Sequence, residues 1–149
     1  MLHQRPLLVV EDSDDDFAIL ESCLRSAGVS NRLIRCSTGD EVQRFLDEIQ
    51  YAGVGQRPVF VILDLKLPGT HGHEVLRRLK AHPTLKTTPV VVLTTSAHPS
   101  DIEESYRLGA GGFLTKPVEL DKFEQMVQHV ADYWFSCVKL PENVRVGGS

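Results

Sequence analysis

Glu11 and Asp12 follow the apolar run LLVV, and Asp64 follows VFVIL. Thr94 closes the run PVVVL, and Lys116 follows GGFLT. Carboxylates crowded into one crevice repel, and without a cation they raise one another's pKa. An all-oxygen donor set favours a hard ion, and Mg²⁺ typically takes one or two carboxylates, several waters and a phosphate oxygen. Lys116 supplies a second positive charge and Thr94 a hydroxyl donor. Acids, hydroxyl and lysine together suit a phosphoryl group delivered with Mg²⁺, metal and ammonium neutralising charge on its oxygens. A carboxylate can itself be the nucleophile, giving an aspartyl-phosphate.

That chemistry requires a scaffold that gathers residues more than a hundred positions apart. The apolar runs Leu7 to Val10, Val59 to Leu63 and Val90 to Leu93 are short and continuous, as in strands covered on both faces. Leu33 and Ile34 anchor a weaker run, and Phe113 and Leu114 a fifth. Helical stripes lie between them: Phe17, Leu20, Leu24 and Ala27, stopped by Gly28; Val42, Phe45, Leu46 and Ile49; Val75, Leu76 and Leu79; and Leu120, Phe123, Val127, Val130 and Trp134. Thr38 with Glu41, and Ser100 with Glu103, read as capping boxes. Five β-α repeats predict a doubly wound parallel sheet with right-handed crossovers. In such a sheet the site lies at the carboxyl ends of the strands, where Glu11, Asp12, Asp64, Thr94 and Lys116 fall.

The stretches VVEDSDDD, VILDLKLPGTHG, PVVVLTTS and GGFLTKP, in that order, resemble the receiver domain of bacterial two-component response regulators, over roughly residues 5–135. Thirty residues separate Asp64 from Thr94 and twenty-two separate Thr94 from Lys116, and Pro68 and Gly72 stand four and eight after Asp64; all fit the family pattern. The resemblance implies a flavodoxin-like (βα)5 fold with strand order 2-1-3-4-5, the order shared by flavodoxin and the chemotaxis receiver. It implies Asp64 as phosphoacceptor and Asp12 and Asp64 as direct Mg²⁺ ligands. Glu11 would act through water, and the Lys66 backbone carbonyl would complete the protein ligands. Lys116 would bridge to the phosphoryl group and Thr94 would move to bond it. Phe113 would be the aromatic switch, and Pro117 the proline that commonly follows a cis peptide. The implied donor is a sensor histidine kinase, and the implied response a change at the surface of the fourth helix, fifth strand and fifth helix. The long loop YAGVGQRP, the LTTS stretch and the ending ADYWFSCVKLP further resemble stand-alone regulators paired with phytochrome-type kinases. No chromophore site is visible, so light sensitivity would belong to the partner.

Lys66 stands where close relatives commonly carry Asn. Its ammonium could shield the phosphoryl group or hinder attacking water, so Lys66 and Ser96 are expected to tune the dephosphorylation rate. Lys66 also argues against a haloacid-dehalogenase-type phosphatase, which places a general acid two residues after its aspartate. EDSDDD in the first β-α turn argues against dinucleotide binding, which wants G-x-G-x-x-G there. A phosphorylation-independent scaffold of the same fold is the serious alternative.

The 149 residues suit one domain, with 42% hydrophobic and 24% charged residues. A net charge of −4 argues against a nucleic-acid partner. Cys23, Cys36 and Cys137 are odd in number and form no CxxC, as in a reduced cytoplasmic protein, and no membrane span or secretory signal is visible. The expected layout is a receiver domain over residues 1–140 and a tail over 141–149, with no output domain, so output would be protein contact or onward phosphotransfer. A last helix from Glu119 to Leu140 would span roughly 30 Å. Tyr133, Trp134 and Phe135 are consecutive and cannot share one helical stripe; at least one is expected outward, in a homodimer surface. Asn143 to Val146 could form a strand-like arm, and Gly147 to Ser149 read as an expression remnant. His71 and His73 could suggest a transition-metal pair, but i, i+2 on a loop reads as surface histidines. Asp14, Asp15 and Asp16 read as a charged helix start.

Overall fold

The computed structural model describes residues 5–141. The elements alternate in chain order: β1 (Leu7–Val10), α1 (Asp14–Ser26), β2 (Leu33–Cys36), α2 (Gly39–Ile49), β3 (Phe60–Leu63), α3 (Gly72–Ala81), β4 (Val90–Thr94), α4 (Pro99–Arg107), β5 (Gly112–Thr115) and α5 (Leu120–Asp132). A single 3₁₀ turn at Val54–Gln56 sits in the loop before β3. All neighbouring strands pair in parallel, in the order β2-β1-β3-β4-β5.

The unbroken apolar runs are explained by burial on both faces. Successive side chains of a strand point to opposite sides. Leu8, Val10, Val61, Leu63, Val90 and Val92 therefore pack on α2 and α3, joining Val42, Leu46, Val75, Leu76 and Leu79. Leu7, Val9, Phe60, Ile62, Val91 and Leu93 pack on α1 and α5, joining Leu20, Leu24, Phe123 and Val127. Gly28, with φ of 89°, ends α1 in the left-handed region that side chains avoid.

The helix starts agree only in part with the sequence pattern. Thr38 caps α2 through the Glu41 N–H at 3.1 Å, while the Glu41 carboxylate reaches back to the Ser37 N–H. The expected Ser100–Glu103 box does not form. His98 caps α4 instead, its Nδ1 accepting from the Ser100 N–H at 3.2 Å, and Pro99 takes the first helical position. Proline suits that position because its φ is already helical and its missing N–H would have no partner there.

The last helix is shorter than expected. α5 stops at Asp132 and continues as one wide π-type turn over Tyr133–Cys137, and Val138 is extended. A regular helix would set Trp134 and Phe135 about 100° apart. The wider turn lets both rings reach Phe60, with centroids 5.1 and 5.6 Å away. Tyr133 stays 54% exposed, its ring edge-on to Trp134. The Asn143–Val146 arm and the Gly147–Ser149 remnant lie outside the described residues. Among the described residues no helix is long and apolar enough to cross a membrane.

The cysteines are free; Cys23 and Cys36 are buried and Cys137 is exposed. Burial first, and the Glu41 charge second, push the Cys36 thiol from 9.0 up to about 11. A thiol whose pKa is higher folded than unfolded ionises first in the unfolded chain. Its contribution to stability is complete below pH 9 and is lost as pH rises toward 11. Over that range Cys36→Ala should lose roughly 2–3 kcal/mol less stability than the parent in urea unfolding, at about 1.4 kcal/mol per tenfold change in proton affinity. Parallel decline of the two proteins would show that this thiol is not responsible.

Candidate functional site

Register sets the site. Val10 pairs with Leu63, so Glu11 and Asp64 leave adjacent strand ends together. The Asp64 N–H donates to the Val10 carbonyl at 3.0 Å and the Glu11 N–H to the Cys36 carbonyl at 3.0 Å. Thr94 pairs with Thr115, and the Lys116 N–H donates to the Thr94 carbonyl at 2.7 Å. Beyond β3 the chain turns so tightly that a Cβ on Gly72 would lie 2.4 Å from the Leu65 Cα and 2.8 Å from the Asp64 carbonyl oxygen. Only glycine admits this approach, which tucks the start of α3 under the Asp64 loop.

The Lys116 ammonium lies among three carboxylates: 2.7 Å from Glu11 Oε1, 2.8 Å from Asp64 Oδ2 and 2.9 Å from Asp16 Oδ2. Glu11 and Asp64 are buried, while Asp16 is partly exposed. The Ser13 N–H donates to Glu11 Oε2 at 3.1 Å and the Lys66 N–H to Asp64 Oδ1 at 3.0 Å, so each buried carboxylate has both oxygens engaged. Carboxylate oxygens of Glu11, Asp12 and Asp64 lie within 4.8 Å of one another.

Charge is unbalanced here. Burial raises the Glu11 pKa above its usual value; Lys116 and the Ser13 N–H oppose this without cancelling it, and the Asp64 charge adds to it. Burial also works against the Lys116 charge, but its bonds to Asp64, Glu11 and Asp16 outweigh that and raise its pKa. One ammonium thus serves four acids, counting Asp12. A surplus of converging oxygen donors fits a hard divalent cation.

The remaining expected residues take distinct places. Thr94 is fully buried at the end of β4. Its Oγ1 accepts from the Ser96 N–H at a long 3.5 Å, and the Ser96 hydroxyl donates to Asp101 at 2.6 Å. Phe113 is half-buried on the α2/α3 face, registered opposite Val92. The Lys66 side chain is exposed. No cis peptide occurs among the described residues, so Lys116–Pro117 is trans, the isomer favoured by about 0.5–1 kcal/mol. Trp134 and Phe135 pack against Phe60 at the start of β3, the opposite end of the sheet from Asp64, with Tyr133 exposed beside Trp134.

Two participants escape the sequence pattern. Asp16 reads there as a helix-start acid, yet it is the third partner of Lys116; its signal is masked by its acidic neighbours Asp14 and Asp15. Arg35 donates to the Glu11 carbonyl at 3.1 Å, pairs with Asp14 at 2.7 Å and lies over the Phe17 ring at 5.0 Å, bracing the β1–α1 loop.

Fold and site together define a flavodoxin-like α/β protein with an acidic cleft closed by a lysine. Residues 7–128 match the response regulator receiver domain, and the chain belongs to that family: it is a receiver-domain response regulator of two-component systems. It is 37% identical over 135 residues to the response regulator Rcp1 of Synechocystis sp., covering 91% of this chain and 92% of that protein. It superposes on the phosphorylated cyanobacterial phytochrome response regulator RcpA with a TM-score of 0.83, at 33% identity, over 93% of this chain and 99% of that one. On the Mn²⁺-bound form of Rcp1 the TM-score is 0.81, at 36% identity, over 91% and 98%. Receiver domains of this kind partner with sensor histidine kinases and bind a divalent metal at the acidic pocket.

Removing the central cation should expose the imbalance. Lys116→Met should cost about 2–4 kcal/mol in urea unfolding at neutral pH, the cost of leaving buried acids unpaired, moderated by the exposure of Asp16. A carboxyl whose pKa is raised on folding favours the native state when protonated. Its contribution is present below the unfolded value of 4.5 and is lost as pH rises through the folded value. The gap between Lys116→Met and the parent should therefore narrow as pH falls toward about 5. A gap that widens would refute the electrostatic account.

Proposed function

We propose that this protein accepts a phosphoryl group on Asp64 from the phosphohistidine of a sensor kinase of phytochrome type, and signals through protein contact or onward phosphotransfer. The observation that carries this reading is the Lys116 ammonium within 2.9 Å of Glu11, Asp16 and Asp64 at the aligned strand ends. An Asp64 carboxylate oxygen attacks phosphorus, the P–N bond to the kinase imidazole breaks, and the imidazole leaves as the neutral ring once protonated. Lys116 exchanges its contact with Asp64 for one with a phosphoryl oxygen and holds the added negative charge. The Thr94 hydroxyl turns to donate to another phosphoryl oxygen, and Phe113, on the adjacent strand, responds as the aromatic switch. Asp12 and Asp64, with the Lys66 carbonyl and with Glu11 acting through water, would hold Mg²⁺, which neutralises phosphoryl charge when bound. The protein catalyses only its own phosphorylation and dephosphorylation, with Lys66 and Ser96 setting the lifetime.

The kinase approach has support beside the site. Ile19, Val118 and Leu120 are exposed apolar residues lining a groove of about 290 Å³ with Asp16, Lys116 and Pro117. A protein that presents a phosphoimidazole to Asp64 passes over this groove. The phytochrome link rests on the similarity to Rcp1 and RcpA, and the Rcp1 match runs along 92% of that protein's length. We also propose a cytoplasmic homodimer whose interface includes Tyr133, exposed beside Trp134 and Phe135. A monomeric mass by light scattering at tens of micromolar would remove the dimer.

Acetyl phosphate with Mg²⁺ should label the protein, and Asp64→Asn or chelation of the metal should abolish the label. Thr94→Ala should still label. Lys66→Asn should change the phosphoryl half-life while leaving labelling stoichiometry intact. A folded protein that takes no label under these conditions, nor from a cognate kinase, is the phosphorylation-independent scaffold instead.

A further inference from the structure

His71 and His73, weak as a pair in sequence, gain a third neighbour in the fold. The β3–α3 loop and the first turn of α3 meet the first turn of α4, and this places Asp101 beside both rings. One ring nitrogen of each histidine and one Asp101 carboxylate oxygen lie within 4.8 Å of one another. The two ring centroids are 4.7 Å apart. We propose that His71, His73 and Asp101 form a second cation site, for Zn²⁺ or a chemically similar transition metal, distinct from the acidic cleft at Asp64.

The donor chemistry separates the two sites. Imidazole nitrogens suit borderline ions such as Zn²⁺, whereas the all-oxygen set at Asp64 suits Mg²⁺. Three protein ligands leave a fourth position for water or an external ligand. The His73 ring is already oriented: its Nε2 lies 3.2 Å from the Asp101 carbonyl oxygen and 3.1 Å from Ser105 Oγ. A carbonyl only accepts, so the proton sits on Nε2 and the lone pair on Nδ1. A ring held through its N–H by a backbone carbonyl is a familiar arrangement for a metal-binding histidine. The Asp101 carboxylate is kept charged chiefly by the Ser96 hydroxyl, with His73, His71 and His98 adding in the same direction.

Binding has a definite cost. The His71 Nδ1 accepts the His73 N–H at 3.1 Å as the cap of α3, and ligation through either nitrogen of His71 gives up that bond. Donors around one tetrahedral zinc lie about 3.4 Å apart. The side chains must therefore draw together by roughly 1 Å to reach that geometry, which His71, being exposed, can do by rotation. Both costs are small against the affinity of a three-ligand zinc site. The bound ion would tie α3 to α4 next to Ser96.

The test uses the full chain with Cys137→Ser, since that exposed thiol could bind the same ions. With Mg²⁺ in excess, Co²⁺ should give the visible absorption of tetrahedral coordination at one equivalent, and Zn²⁺ should bleach it. His71→Ala, and His71→Ala with His73→Ala, should weaken binding at least about tenfold, and Asp101→Asn should weaken it too. His98→Ala and Asp64→Asn should retain the band. His71 is exposed, so the single variant loses the cap of α3 but keeps the fold, and a cooperative melt lowered by no more than the loss of one cap confirms this. Absorption that is absent in the parent, unchanged in His71→Ala or lost in Asp64→Asn would overturn the proposal. Failure of acetyl phosphate labelling would not touch it.

Discussion

One ammonium shared by Glu11, Asp16 and Asp64 is the interaction on which the rest of this molecule depends. Glu11 and Asp16 come from the β1–α1 segment and Asp64 from the end of β3, and Lys116 lies a hundred residues or more from Glu11 and Asp16. A buried lysine and buried carboxylates are each costly in isolation, because charges leave water at a large desolvation penalty. Together they are tolerable, but the arrangement remains acid-rich. That surplus suits the cleft to a cation, which a site already neutral would not attract. The raised Glu11 pKa expresses the same imbalance.

The fold exists to hold these groups in register. Parallel pairing aligns the ends of β1 with β3 and of β4 with β5, so the acids and the lysine emerge at one rim. Both faces of the sheet are sealed by apolar packing, which fixes the strands against sliding. A slip of one residue would send every apolar side chain to the wrong face. The cost of misregister is thus borne by the core, and the precision of the site follows from it. Gly72 adds a local constraint, bringing backbone to backbone beneath Asp64.

Most of the scaffold was legible because burial on two faces writes itself as unbroken apolar strands, and helix burial as 3.6-residue stripes. Asp64, Thr94 and Lys116 were legible because strand-end residues of a parallel sheet must share a rim. What escaped depends on contacts without periodicity. Asp16 looked like its neighbours Asp14 and Asp15, and only the direction of its side chain sets it apart. His98 displaced Ser100 as the cap of α4 because an imidazole nitrogen can also accept a first-turn backbone N–H, here that of Ser100, which residue-type rules for caps underweight. The regular helix expected to Leu140 gave way to a wide turn that lets two adjacent aromatic rings both pack on Phe60. Asp101 is thirty and twenty-eight residues from His71 and His73, and nothing in the spacing announces their meeting.

The helices differ in how they are anchored, and the difference bears on how a change at Asp64 can travel. α1, α2, α3 and α5 each bury two or more apolar side chains, whereas α4 buries only Ser105. α4 is held instead by polar bonds: the His73 ring to Ser105 Oγ at 3.1 Å and to the Asp101 carbonyl at 3.2 Å, and Ser96 to the Asp101 carboxylate at 2.6 Å. Apolar packing resists displacement over its whole area, but a few hydrogen bonds can be exchanged one at a time for modest free energy. Ser96 lies two residues beyond Thr94, whose hydroxyl already engages the Ser96 N–H. Under the proposed phosphorylation of Asp64, a Thr94 hydroxyl drawn toward it would pull on the segment that secures α4. The chain places its strongest electrostatic constraint at the sheet rim and its weakest packing in the helix that rim can reach, which is the combination a signalling surface needs.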